Sequence, residues 1–79
     1  MNIYIEDITE DYGTHGISVY SLVHGMDFYY AEVRADGIKL FNSKEFDTGE
    51  EMRKDNPMYS KLKEAILKHI IGENKNENQ

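Results

Sequence analysis

Carboxylates in two short stretches are the residues of this chain best placed to do chemistry. Four lie before position 12 and five between positions 45 and 55: Glu6, Asp7, Glu10, Asp11, Glu45, Asp47, Glu50, Glu51 and Asp55. Neighbouring carboxylates can act as general acid and base, ligate a cation, or present negative charge to a partner. Acid–base catalysis needs a pocket that raises one pKa, and polar loops do not supply one. These two acidic groups therefore favour displayed charge, offered to a partner.

The spacing of other reactive residues does not predict an enzyme. The histidines are far apart, none has a partner at a metal-ligand spacing, and the chain has no cysteine. Asp7, Thr9 and Asp11 recur at every second position as in a calcium-binding loop, but Tyr12 stands where that loop requires glycine. No serine has the sequence context of a nucleophile. We therefore expect no catalytic residue, no metal site and no cofactor.

The balance of acidic and basic residues indicates which class of partner the protein could bind. The chain has 79 residues, enough for one small domain, with 15 acidic and 9 basic residues and a net charge of −6. The acidity is concentrated in residues 1–56, where 12 acids face 5 bases. Such a surface repels phosphate backbones, so direct nucleic-acid binding is not expected, and it attracts basic protein surfaces. The alternative is that surplus carboxylate serves solubility alone.

Sequence features also suggest where the protein resides. The absence of cysteine fits a reducing compartment, and no leader or membrane-spanning run of apolar residues occurs. The abundance of Ile, Asn, Lys and Glu with few alanines is typical of AT-rich bacterial or bacteriophage genomes. We expect a cytoplasmic protein, in the host cytoplasm if phage-encoded, with no membrane partner.

A β-hairpin over residues 28–42 organises the predicted fold. Asp36-Gly37 is a strong signal for a two-residue type I′ turn, which would pair Ala35 with Ile38. Alternation then gives one apolar face for the core. The opposite face mixes charged residues with three aromatic rings, Phe28, Tyr30 and Phe41. Either the following connection covers these rings with Phe46 and Met52, or they form an exposed patch for a partner or a homodimer.

Two further strands precede this hairpin, over residues 2–8 and 17–23. A two-residue loop after the second would place Tyr20 and Leu22 on the core face. A three-residue loop would place Ile17, Val19 and Val23 there instead. Turn chemistry favours the first arrangement and packing the second, and we predict the second.

The last part of the chain predicts helical structure. Thr48 and Glu51 match a capping box and predict a short helical turn over 49–54. Asn56-Pro57 predicts the start of a helix that runs to Ile71 and ends before Gly72. The fold class is therefore α+β, in the order ββββα: a four-stranded, mainly antiparallel sheet with the C-terminal helix on one face. Residues 1–71 form a single domain, and residues 72–79 a disordered polar tail.

Two functional hypotheses follow. The first is a non-enzymatic acidic module that binds a basic protein surface, in its sharpest form a phage-type inhibitor that mimics DNA charge and occupies a DNA- or RNA-binding protein. The second is an accessory or structural subunit, or a homodimer, that associates through the aromatic sheet face.

Overall fold

A four-stranded antiparallel sheet forms the centre of the protein. The computed structural model describes residues 2–77, with side chains described as far as residue 72. Strands β1 (Tyr4–Asp7), β2 (Ser18–His24), β3 (Asp27–Arg34) and β4 (Gly37–Asn42) lie in the order β1-β2-β3-β4. The described residues also form three helices: α1 (Thr9–Tyr12), α2 (Ser43–Thr48) and α3 (Tyr59–Glu77). The predicted α+β fold with a C-terminal helix is confirmed.

The β2–β3 hairpin has a two-residue loop, so the predicted three-residue loop is wrong. His24 pairs with Asp27, and Gly25-Met26 forms the turn. Gly25 has φ +63° and Met26 does not have a positive φ, which matches a type II′ turn with glycine at its first central position. Turn chemistry therefore decides the register. Tyr20 and Leu22 are on the core face, and Val19 is on the other face.

The β3–β4 hairpin is displaced by two residues from the prediction. Arg34 pairs with Gly37, so the turn is Ala35-Asp36 and not Asp36-Gly37. Neither Ala35 nor Asp36 has a positive φ, which excludes the type I′ turn, and Gly37 instead adopts φ +150° at the start of β4. A slip of two residues preserves which side chains share a face. The other predicted core residues of this hairpin therefore stay on the core face, but Ala35, which was also predicted there, is an exposed turn residue.

The core lies between the sheet and α3. It contains Tyr20, Leu22, Tyr29, Ala31 and Leu40 from the sheet, Tyr59, Leu62 and Ile66 from α3, and Met52 from the preceding connection. The three α3 residues recur at helical spacing and form the apolar stripe with which the helix packs on the sheet. Met52 belongs to this core, so the expectation that it covers the opposite sheet face is wrong. The Met52 N–H donates to Leu40 O of β4 at 2.7 Å.

Helix positions in the second half differ from the prediction at three points. Residues 49–54 are not helical, because Gly49 adopts φ +77° and ends α2, which begins directly after β4. Asn56 is not the N-cap that was predicted: its Oδ1 accepts the Met58 N–H at 2.9 Å in the turn before the helix, and α3 begins at Tyr59. The helix passes through Gly72 and reaches Glu77. Disorder of residues 72–79 stays a prediction, and residues 78 and 79 lie outside the described part of the chain.

Candidate protein interface

The sheet face opposite α3, called here the far face, is partly covered by a cluster of aromatic rings. Phe46 of α2 is its centre: its ring stacks on Tyr30 with centroids 4.4 Å apart and meets Phe41 edge-on at 5.6 Å. Tyr12 of α1 meets Phe46 edge-on at 6.4 Å. These are the preferred geometries of aromatic pairs. Because the Phe46 ring of α2 contacts both Tyr12 of α1 and two rings of the sheet, α1 and α2 lie side by side on the far face.

Helix α1 is fixed to β2 by Thr9. The Thr9 Oγ1 accepts the Val19 N–H at 3.0 Å and donates to Val19 O at 3.3 Å, so a side chain continues the pairing between strands. The Asp7 Oδ1 accepts the Thr9 N–H at 2.9 Å and turns the chain from β1 into α1. Hydrogen bonding to Thr9, first from its side chain and then from its backbone N–H, lowers the pKa of Asp7, and the nearby charge of His69 makes a smaller contribution in the same direction.

Gly13 after α1 is required by close packing and not by its backbone angles. Its φ is −74°, which any residue can adopt. A Cβ built there would lie 2.5 Å from Thr9 Cγ2 and 2.8 Å from Ile17 O. The backbone therefore passes too near α1 for any larger residue, and the position of α1 depends on this glycine.

We expect Gly13→Ala to destabilise the protein by about 2 kcal/mol, because the chain around α1 must move to admit the methyl group. Chemical denaturation monitored by circular dichroism measures this change. Gly72→Ala is the matched control: it lies within α3 with open space around it. Alanine there should stabilise the protein by about 0.5–1 kcal/mol. Equal effects of the two substitutions would contradict the packing argument.

Helix α2 ends in a hydrogen-bonded turn that directs the following chain away from the far face. The N–H groups of Gly49 and Glu50 both reach Glu45 O, and Gly49 also reaches Phe46 O. This is the Schellman pattern, which places glycine in the left-handed conformation. The turn separates Phe46, on the far face, from Met52, in the core.

Most of the predicted acidic residues stand on or beside these two short helices. Glu10 and Asp11 are on α1, Glu45 and Asp47 are on α2, and Glu6 lies on the far face of β1 next to Ser21. All but Glu45 are exposed, and Glu45 is half-buried. The contact between Tyr12 and Phe46 thus brings the carboxylates of α1 and those of α2 onto one side of the sheet. We call this set the α1–α2 acidic layer.

The remaining acidic residues are placed differently. Glu50, Glu51 and Asp55 share with Glu45 the walls of a depression of about 380 Å³. Arg53 also lines it and pairs with Asp55 at 3.2 Å. Asp7 shares the α3 side of the sheet with its pairing partner Tyr20. The structure therefore assembles part of the predicted acidic surface, which is interrupted at Asp55 by Arg53 and on α2 by the exposed Lys44.

The predicted aromatic face is only partly exposed. Phe41 is buried and Tyr30 half-buried beneath Phe46, so neither ring is free to meet a partner. Phe28 remains 55% exposed. It shares a row across the sheet with Val23 and with Tyr4, which is 73% exposed. This Tyr4–Val23–Phe28 row is the part of the far face that the two short helices leave open.

Three residues of this surface were not identified from the sequence as members of the site: Tyr4, Tyr12 and Phe46. Phe46 was expected only as a cover for the rings. A signal for α2 was present, since Asn42 is followed three residues later by Glu45 and then by Gly49, the pattern of a capped helix with a glycine stop. No comparable pattern identifies Tyr4 before the register of β1 is known.

Other kinds of site find no support among the described residues. No group of three or more His, Asp or Glu side chains in that part of the chain could hold a metal ion. Within residues 2–77, no helix has both the length and the apolar character that crossing a membrane requires. No protein family model, curated protein or solved structure matches this chain.

Proposed function

We propose that this protein is a non-enzymatic binding module that engages a basic protein surface through its α1–α2 acidic layer. The observation that carries the proposal is the contact between Tyr12 and Phe46, which joins two acidic helices more than 30 residues apart in the sequence. Carboxylates held on one side of a rigid sheet produce a directed field, which attracts and orients a cationic partner before contact.

The charge of the opposite side supports this orientation. Residues 2–16, which include β1 and α1, contain four acids and no lysine or arginine. Over residues 59–72 of α3 there are three lysines and one glutamate. That glutamate, Glu64, pairs with Lys68 at 2.9 Å, and this contact lowers its pKa. A basic partner is therefore attracted to the far face and repelled from the helix face.

Salt and charge reversal test the proposal. We expect proteins captured from a bacterial lysate by the immobilised chain to bind at least about tenfold more weakly when the salt concentration rises from about 0.05 to 0.2 M. The double variant Glu10→Lys/Asp11→Lys should weaken binding of the same captured protein by a similar factor.

A matched control separates the acidic layer from net charge. Asp27→Lys/Asp36→Lys makes the same change in charge at two exposed residues outside α1 and α2, and it should weaken binding less. Binding that responds to neither salt nor Glu10→Lys/Asp11→Lys would refute the proposal.

The finer form of the proposal is inhibition by mimicry of DNA. Duplex DNA presents about one charge per 1.7 Å of its axis, and closely spaced carboxylates can imitate that density. In this form the captured partner is a DNA- or RNA-binding protein of the host cytoplasm. Free duplex DNA should then displace the chain from its partner. A partner that binds the chain and DNA at the same time would exclude mimicry.

The open aromatic row supports a second candidate function. Tyr4 and Phe28 are large and exposed on the far face, and Glu6 follows Tyr4 on that face of β1. An apolar centre beside a polar residue is typical of protein interfaces. In this case the chain is an accessory subunit, and its acidity serves solubility. Phe28→Ala would then abolish partner binding, while Glu10→Lys/Asp11→Lys would leave it unchanged.

A further inference from the structure

The two edges of the sheet differ in what covers them. At the β4 edge, the Met52 N–H donates to Leu40 O, so the connection before α3 shields that strand. At the β1 edge, no described residue contributes a backbone hydrogen bond from outside the sheet. An uncovered edge offers N–H and C=O groups to another strand. β1 contains no proline or lysine, and its protection against pairing consists of its length of four residues and the charges of Glu6 and Asp7.

The hydrogen bond of Ile8, directly after β1, shows which backbone N–H and C=O groups of β1 point toward β2 and which point outward. The Ile8 N–H donates to Val19 O at 2.9 Å, so Ile8 faces β2. Alternate residues of an antiparallel strand point the same way, so Tyr4 and Glu6 also face β2. The N–H and C=O groups of Ile5 and Asp7 therefore point outward from the sheet.

A groove of about 620 Å³ runs between this edge and α3. Ile3, Ile5 and Ala65 give it an apolar floor, and Lys61, Glu64, Lys68 and His69 also line it. His69 lies at the Asp7 end of the groove, because its ring packs on Tyr20 and Tyr20 is the pairing partner of Asp7. Lys61 is eight residues earlier in the helix, about 12 Å away along its axis. Lys61 therefore lies toward the Ile3 end of the groove, whereas Lys68, next to His69, lies toward the Asp7 end and pairs with Glu64.

This edge is complementary to itself. If two copies pair antiparallel with Ile5 opposite Ile5, Asp7 of each copy lies opposite Ile3 of the other, near its Lys61. Glu6 then lies opposite Tyr4, so no two carboxylates meet directly across the seam. Paired residues share a face, so both α3 helices fall on one side and both α1–α2 acidic layers on the other.

We propose that a second copy of this chain occupies the groove, with the β1 strands paired antiparallel around Ile5 to form an eight-stranded sheet. The seam joins two four-residue strands, so it belongs to the small, weak class of interfaces. The inference goes beyond the proposed function and does not rest on it, because the members of the acidic layer on α1 and α2 remain open in the dimer and only Glu6 lies in the seam.

Sedimentation velocity from about 5 µM to 1 mM, at about 0.15 M salt, tests the dimer. The average mass should rise from 9.2 kDa toward twice that value. Lys61→Glu should raise the dimer dissociation constant about tenfold, because attraction to Asp7 becomes repulsion at both ends of the seam. Lys63→Glu carries the same change in net charge on the same helix but outside the groove, and it should leave the constant unchanged.

Amide hydrogen exchange locates the seam independently. Exchange at Ile3, Ile5 and Asp7 should slow as the protein concentration rises, while exchange at exposed amides outside the seam stays constant. A monomer at every concentration overturns the proposal. So does a dimer that Lys61→Glu and Lys63→Glu affect equally, or one lost on Phe28→Ser and insensitive to Lys61→Glu, which would place the contact at the aromatic row.

Discussion

Phe46→Ala is expected to lower the free energy of unfolding by about 2–3 kcal/mol. The ring is half-buried, so it contributes less than the 3–5 kcal/mol typical of a core phenylalanine, but it contacts three other rings. A domain of this length has a total stability of about 4–12 kcal/mol, so the loss is large. Chemical denaturation followed by circular dichroism gives the value.

The same substitution should also affect binding. Without Phe46, α2 loses its ring contacts with α1 and with the sheet, so the acidic layer should bind its partner more weakly although every carboxylate is retained. Phe28→Ala is the matched control, because it removes an identical ring that is 55% exposed. It should cost only about 0.5 kcal/mol. Equal losses of stability from the two variants would show that α2 is not anchored by its aromatic contacts.

Leu62→Ala is expected to cost about 3–4 kcal/mol, the largest effect of a single substitution that we predict. Leu62 is fully buried between α3 and the sheet, so truncation removes apolar burial and leaves a cavity. Against the total stability expected for this domain, the variant should be partly unfolded at 37 °C. Thermal unfolding by circular dichroism or calorimetry measures the shift.

Leu67→Ala provides the comparison for that result. Leu67 lies on the same helix, 42% exposed and outside the core. Its replacement should change stability by less than about 1 kcal/mol, since alanine also favours helix formation. A similar loss from both variants would mean that α3 packs on the sheet through a different face.

The sequence predicted strands and their faces well wherever alternation was unambiguous. In β3 and β4, a slip of two residues changed every pairing and left the core side chains in place, because faces repeat with a period of two. In β2 the pattern was ambiguous, because the strand has buried residues on both faces of the sheet. Val19 is only 1% exposed on the far face, and Leu22 is fully buried on the core face. Only the conformation of Gly25 resolves that choice.

The candidate site was harder to predict than the fold because it depends on contacts between distant segments. The acidic residues were identified by type, but their grouping requires Tyr12 to meet Phe46 across a sheet whose register the sequence leaves open. The short helix α1 is held mainly by Thr9 on Val19 and by the space that Gly13 leaves. Neither feature produces a periodic pattern of apolar residues, so the sequence alone predicts a loop in this segment.

The order of strands in the sheet has a consequence for how the chain folds. Every strand pairs with its neighbour along the chain, and tight two-residue turns join β2, β3 and β4. Little loop-closure entropy is lost before these hairpins form, so a three-stranded meander can nucleate early, within microseconds to milliseconds. The first strand arrives through a longer connection and has only one neighbour, so it should be the last to dock and the first to detach in the native ensemble.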